Sequence, residues 1–132
     1  MTVDFFFPSE IGSLKRLKAS ALHVNHLSSP VPPSFGNPSE LTILFLHQNE
    51  LSGPFLHSLL SYEKLSALPL FGNQLSGTVP EGLANLSLYE VHLSENNFSS
   101  PLPEVCQKAP LQYFSAAFNN FRGPVPKSFL TW

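Results

Sequence analysis

The chain has 132 residues, of which 42% are hydrophobic and only 12% charged, with a formal net charge of −2. That balance offers no basic stripe for nucleic-acid phosphates or an anionic membrane, and apolar runs such as Ile43-Leu44-Phe45-Leu46 fall far short of the roughly 20 residues that cross a bilayer. The single cysteine, Cys106, closes no intrachain disulfide and builds no cysteine zinc site, so nucleic-acid binding, membrane insertion and cysteine chemistry drop out first.

At the amino terminus, Asp4 stands where a secretory signal carries positive charge, and the apolar stretch ends after Phe5, Phe6 and Phe7, so no signal peptide is expected there. Residues 1–13 read as the tail of a repeat, Phe7-Pro8-Ser9-Glu10-Ile11-Gly12-Ser13 closing it. Over residues 14–132 about five further units follow, in one array. They are Leu22-His23-Val24-Asn25-His26-Leu27, Leu46-His47-Gln48-Asn49-Glu50-Leu51, Leu70-Phe71-Gly72-Asn73-Gln74-Leu75, Leu93-Ser94-Glu95-Asn96-Asn97-Phe98 and Ala116-Ala117-Phe118-Asn119-Asn120-Phe121. Asn25, Asn49, Asn73, Asn96 and Asn119 are spaced by 24, 24, 23 and 23 residues, and Leu17, Leu41, Leu65, Leu88 and Leu111 lie upstream at matching places. This is the leucine-rich-repeat signature, whose period is about 20 to 29 residues.

The implied fold class is an α/β repeat: a leucine-rich-repeat solenoid with a parallel concave β-sheet and a convex side of mostly loop, short β and 3₁₀ pieces. In each short strand apolar side chains such as Leu44 and Leu46 alternate inward while their neighbours face out. The following Asn turns inward, where its amide serves backbone groups of adjacent coils, so the asparagines form a structural ladder. No unit buries its apolar face alone; stability comes from stacking. Ser52-Gly53 and Ser76-Gly77 are expected to fix turns on the convex side. Ile11 to Leu22 and Leu59 to Leu65 also carry a helical pattern, for which the repeat leaves room only for short helical or 3₁₀ turns.

The segments Asn49-Glu50-Leu51-Ser52-Gly53-Pro54-Phe55 and Asn73-Gln74-Leu75-Ser76-Gly77-Thr78-Val79-Pro80 resemble the N-x-L-S-G-x-I-P element of plant extracellular leucine-rich repeats. Together with Leu102 to Cys106, Leu111 to Phe114 and Asn119 to Ser128, they resemble the ectodomains of plant receptor-like serine/threonine kinases, within that group the male-discoverer-interacting type. The resemblance implies a right-handed solenoid at the extracellular face of the plasma membrane or in the cell wall, binding a peptide ligand or a partner receptor ectodomain. It implies no cofactor and no enzyme activity for this stretch, since the kinase signatures are absent from the sequence. In such relatives the cysteine matching Cys106 pairs with one after a K-S-L segment, which Lys127-Ser128-Phe129 lacks. Other departures are Ser20 at an inward strand position, Leu56 in place of the turn proline, and Pro69 within a strand, where its missing N–H costs a ladder bond. These lapses point to a fragment without caps or a gene remnant, whose open ends would expose Phe5, Phe6, Phe7 and Trp132.

The outward strand positions are the candidate ligand-binding surface: His23, Phe45, His47, Phe71, Glu90, His92, Tyr113 and Phe118. The aromatic rings would anchor an extended peptide, and the histidines and Glu90 would hydrogen-bond it. A metal site would need ligands beyond the adjoining His23 and His47, and a catalytic pair of Glu90 and Glu95 would stand on an open sheet without an enclosing pocket, so neither is expected. Asn85-Leu86-Ser87 and Asn97-Phe98-Ser99 are glycosylation sequons, both placed at turns outside the concave strands, whereas Asn37-Pro38-Ser39 is blocked by proline. The alternative to peptide recognition is docking onto a secreted hydrolase, as in the similar polygalacturonase-inhibiting proteins; a nearly neutral face favours it less.

Overall fold

The computed structural model describes Phe7 and residues 9–28, 30–33, 39–105 and 111–131. Cys106, Phe5, Phe6 and Trp132 lie outside the described residues. Two parallel sheets run side by side along one axis. The larger takes one short strand from each repeat, in the order β1 (Ala19–Ala21), β2 (Ile43–Phe45), β4 (Ala67–Pro69), β6 (Glu90–His92) and β8 (Tyr113–Ser115). The smaller follows the same repeats on the other side as β3 (Ser52–Pro54), β5 (Gln74–Thr78), β7 (Asn97–Ser100) and β9 (Asn120–Phe121). Short 3₁₀ turns at Ser9–Ser13, His57–Ser61, Glu81–Asn85 and Lys127–Thr131 close the coils. The first two overlap the segments where a helical pattern competed with the repeat, Ile11 to Leu22 and Leu59 to Leu65: a coil of some 24 residues has no length left for a longer helix.

The core lies between the sheets. Leu44, Leu46, Leu51, Leu68, Leu70, Leu75, Leu93 and Phe98 are fully buried, each contributing about 1.5–3 kcal/mol through loss of apolar surface to water. Leu59 and Leu83 fill it from the 3₁₀ turns, and Leu56, in the place of a turn proline, is buried there too. Tyr62 is enclosed on this side, and burial pushes its hydroxyl pKa well above the usual range. Phe7, expected at an open end, is instead buried against the core, because the first 3₁₀ turn and its Ile11 pack there as well.

Each strand hands over to a ladder asparagine. Asn73 Nδ2 donates to the carbonyls of Leu46 (3.0 Å) and Leu70 (3.0 Å), and its Oδ1 accepts from the Leu51 N–H at 3.0 Å. Asn49, Asn96 and Asn119 repeat the arrangement, their Oδ1 atoms taking the N–H groups of Leu27, Leu75 and Phe98. The side-chain amide of Asn25, exposed at the head of the row, bonds only carbonyls of its own coil, Leu22 and His23, among the described residues. The residue before each asparagine is left-handed: Val24, Gln48, Glu95 and Phe118 at φ 55 to 56° and Gly72 at 68°. That turn lets the parallel ladder continue past the strand, as in Gln48 N–H to the Phe71 carbonyl (2.8 Å) and Glu95 N–H to the Ala117 carbonyl (2.9 Å).

Two sequence expectations are revised and one holds. Ser52-Gly53 and Ser76-Gly77 do not turn the chain; they lie within β3 and β5, pairing Ser52 with Gln74 and Gly53 with Leu75. The amides freed by the asparagine turn find partners in the neighbouring coil, so the short β expected on the convex side runs through the Ser-Gly pairs, where turns were expected. Asn97 likewise opens β7 rather than occupying a turn, because the turn is complete at Asn96. Pro69 does weaken its strand: β2 and β4 share one register pair, Ile43 with Ala67, while β1–β2, β4–β6 and β6–β8 share three each.

Candidate functional site

The outward positions of the five concave strands fall into columns set by the register. One runs Ala19, Ile43, Ala67, Glu90, Tyr113, and the next includes Ala21 beside Phe45, then Pro69, His92, Ser115. Beyond the strand ends come His23, His47, Phe71, Ser94 and Ala117, then the left-handed residues. Ala67 and Pro69 face outward yet are buried, being short side chains between taller neighbours in their columns.

Six of the eight candidate residues join in one chain of ring contacts. His23 stacks on His47 with centroids 4.6 Å apart and planes 16° from parallel, and His47 stacks on Phe71 at 4.5 Å and 17°. Phe71 meets His92 at 5.6 Å, tilted by 50°, and His92 stacks on Tyr113 at 4.3 Å. Phe45 stands edge-on to both His23 and His47, at 5.6 and 5.8 Å. Such pairs contribute about 0.5–1.5 kcal/mol beyond their area. Strand spacing near 4.8 Å makes this possible: rings of successive repeats in one column are already at stacking distance.

The row is oblique. It keeps to one column from His23 to Phe71, then steps to the adjacent column at His92 and to the next at Tyr113. Ser94 and Ala117 are too short to continue the first column, and Ser115 too short to continue the second. The space they leave is a depression of about 300 Å³ lined by Phe71, His92, Ser94, Glu95, Ser115, Ala117 and Phe118. Phe118 makes no ring contact among the described residues and is 82% exposed at the rim. The Ser94 and Ser115 hydroxyls bond each other, and Ser94 Oγ accepts the Ala117 N–H at 3.0 Å. Glu90 is tied to the ring row through His92, Oε1 to Nε2 at 2.6 Å.

Histidine charge is disfavoured in the middle of the row. The Nδ1 atoms of His23 and His47 are buried without a hydrogen-bond partner among the described residues, so protonating both nitrogens of His47 would bury an unsatisfied N–H. Desolvation, then the neighbouring His23 and His92, lower the His47 pKa below its ordinary value. No group of three His, Cys, Asp or Glu side chains gathers with metal-ligand geometry among the described residues. Both sequon asparagines are exposed, Asn85 at the end of a 3₁₀ turn and Asn97 at the start of β7 in the second sheet.

Sequence reasoning named the rings but did not single out Ser94, Ser115, Glu95 and Ala117 as a lining. Their signal was shortness: they interrupt columns otherwise filled with rings.

The fold and the repeat signature define the class: a leucine-rich-repeat solenoid. The family model described as Leucine Rich Repeat matches residues 87–109. The chain is similar to the plant peptide hormone receptor RGFR1, solved in complex with RGF2, at 32% identity and a TM-score of 0.88 over 93% of this chain and 20% of that one. It is also similar to the ectodomain of the Arabidopsis receptor kinase HAESA, solved with an IDA peptide hormone ligand, at 30% identity and a TM-score of 0.89 over 96% of this chain and 22% of that one. The ectodomain of the receptor kinase SOBIR1 from Arabidopsis thaliana matches at 28% identity and a TM-score of 0.76, over 92% of this chain and 68% of that one. The chain thus spans about a fifth of the length of the two hormone receptors. No curated protein sequence matches it. The likeness is to plant receptor-kinase ectodomains as a class and does not reach the male-discoverer-interacting type. Among the described residues no helix is long and apolar enough to cross a membrane.

Proposed function

We propose that the chain is a non-enzymatic recognition module, a single array of about five repeats over residues 14–132 preceded by a partial one over 1–13, whose concave face binds an extended peptide or a segment of a partner ectodomain. The observation that carries this reading is the unbroken row of rings across all five strands. Rings pre-stacked on one another lose little side-chain entropy when a ligand covers them, and the row presents one continuous aromatic seat. The similar receptors supply the context: RGFR1 and HAESA were solved holding peptide hormones. By that likeness the module works at the extracellular face of the plasma membrane or in the wall, with Asn85 and Asn97 carrying glycans away from the ligand face.

The test is selection of binders from a random-peptide display library on the immobilised chain, followed by titration calorimetry of the recovered peptides. Phe71→Ala and His47→Ala each weaken binding by tenfold or more, about 1.4 kcal/mol, while His57→Ala, exposed on the convex side, leaves it unchanged. Peptides whose affinity is indifferent to both concave substitutions overturn the reading.

A further inference from the structure

The depression beside Phe71 is chemically unlike the rest of the row. We infer that it is a subsite for one cationic side chain, an arginine of the bound peptide, an inference that rests on peptide recognition by this face. The columns of the concave sheet carry two carboxylates, Glu90 and Glu95, and neither lysine nor arginine. Glu90 is already bonded to His92, whereas Glu95 lines the depression and has no ion pair among the described residues.

The remaining lining fits a planar cation. Phe71 and the exposed Phe118 both line it, and a guanidinium is attracted to an aromatic face by the ring quadrupole. Two hydroxyls hold two donors and four acceptor lone pairs between them. The bond between Ser94 and Ser115 uses one donor and one acceptor, and the Ala117 N–H takes another acceptor, so acceptors outnumber donors in what is left. A guanidinium, all donor and always charged, matches that surplus and the Glu95 carboxylate together. A cavity of about 300 Å³ admits such a head group with its stem. An anionic side chain would meet Glu95 with a single hydroxyl donor to offset the repulsion, and an apolar one would strand the hydroxyls.

The experiment is nuclear magnetic resonance on the full isotope-labelled chain, titrated with the blocked pentapeptide Gly-Gly-Arg-Gly-Gly and with its counterpart carrying citrulline, the same shape without the charge. The arginine peptide is expected to shift the amides of Ser94, Glu95, Ser115, Ala117 and Phe118 saturably, and the citrulline peptide to need at least tenfold higher concentration. Glu95→Gln abolishes that difference, and Glu63→Gln, an exposed carboxylate on the convex side, preserves it. Equal response to the two peptides, or shifts confined to other residues, overturns the subsite. Display-selected peptides that depend on Phe71 but are indifferent to replacing their arginines with citrulline also overturn it while leaving peptide recognition standing.

Discussion

Five residues occupy the same left-handed corner in successive repeats, and only one of them is glycine. A side chain costs about 1–2 kcal/mol in that conformation, least for residues that bond locally and most for β-branched ones. Val24, at φ 56° and exposed, therefore carries strain that nothing else requires. Val24→Gly is expected to raise stability by up to about 1 kcal/mol, since glycine's own entropic cost of about 0.5–1 kcal/mol offsets part of the relief. Gly72→Val reverses the exchange, and its Cβ would also lie 3.3 Å from Cγ of Gln48 in the preceding repeat. A loss of at least about 1 kcal/mol should follow; urea denaturation of the two variants checks both signs.

The ladder asparagines divide in the same way. Asn73→Ala leaves the buried Leu51 N–H without its acceptor and takes from the Leu46 and Leu70 carbonyls one of their two amide donors each, the others being Asn49 and Asn96, and should cost about 3 kcal/mol, whereas Asn25→Ala, at the exposed head of the row, should cost less than about 1 kcal/mol. Equal losses at the two sites would show that the side chain acts locally rather than between coils. His47 adds a pH dependence whose sign is fixed by geometry. Its folded pKa lies below the ordinary 6.5, so the unfolded chain takes up the proton first; the stability it allows is full above that value and is lost as pH falls through the folded pKa. His47→Phe keeps the stack without the proton. Its stability relative to the parent chain should grow between about pH 7.5 and about pH 5.5 in thermal melts, and a constant difference would refute the account.

At the scale of elements, the seam between β2 and β4 is the weakest join in the concave sheet, with one register pair where the others have three and a proline without an N–H beside it. Native-state hydrogen exchange should show the amides of Ile43 to Phe45 opening at lower free energy than those of Glu90 to His92, and the reverse order would locate the weak join elsewhere. The concave strands, the ladder and the columns were legible because each rests on a short-range rule, period two in a strand and one inward amide per coil. Short β on the convex side was expected, but its placement on the Ser-Gly pairs was not legible. Ser-Gly is turn chemistry in isolation, and it becomes strand only because the repeat before and the repeat after hold the same segment at bonding distance, information that lives between coils. Gly53 and Gly77 show the compromise, left-handed within strands. The oblique ring row was hidden for a similar reason: the columns give each side chain's root, while the path of the rings depends on Ser94 and Ser115 being short enough to lean over.

For the whole molecule, a solenoid stabilised by nearest-neighbour contacts transmits little from one end to the other, so a ligand laid across all five strands would be the one element touching every repeat. The ring row then acts as a ruler. Its ends, His23 and Tyr113, are four strand spacings apart, about 19 Å at roughly 4.8 Å each. An extended peptide advances about 3.3 Å per residue, so some six residues run the length of the row. Because these two periods differ, ligand side chains drift in and out of step with the rings along the way. Few positions coincide, and such a surface discriminates among peptides by where their bulky residues are spaced as much as by what those residues are.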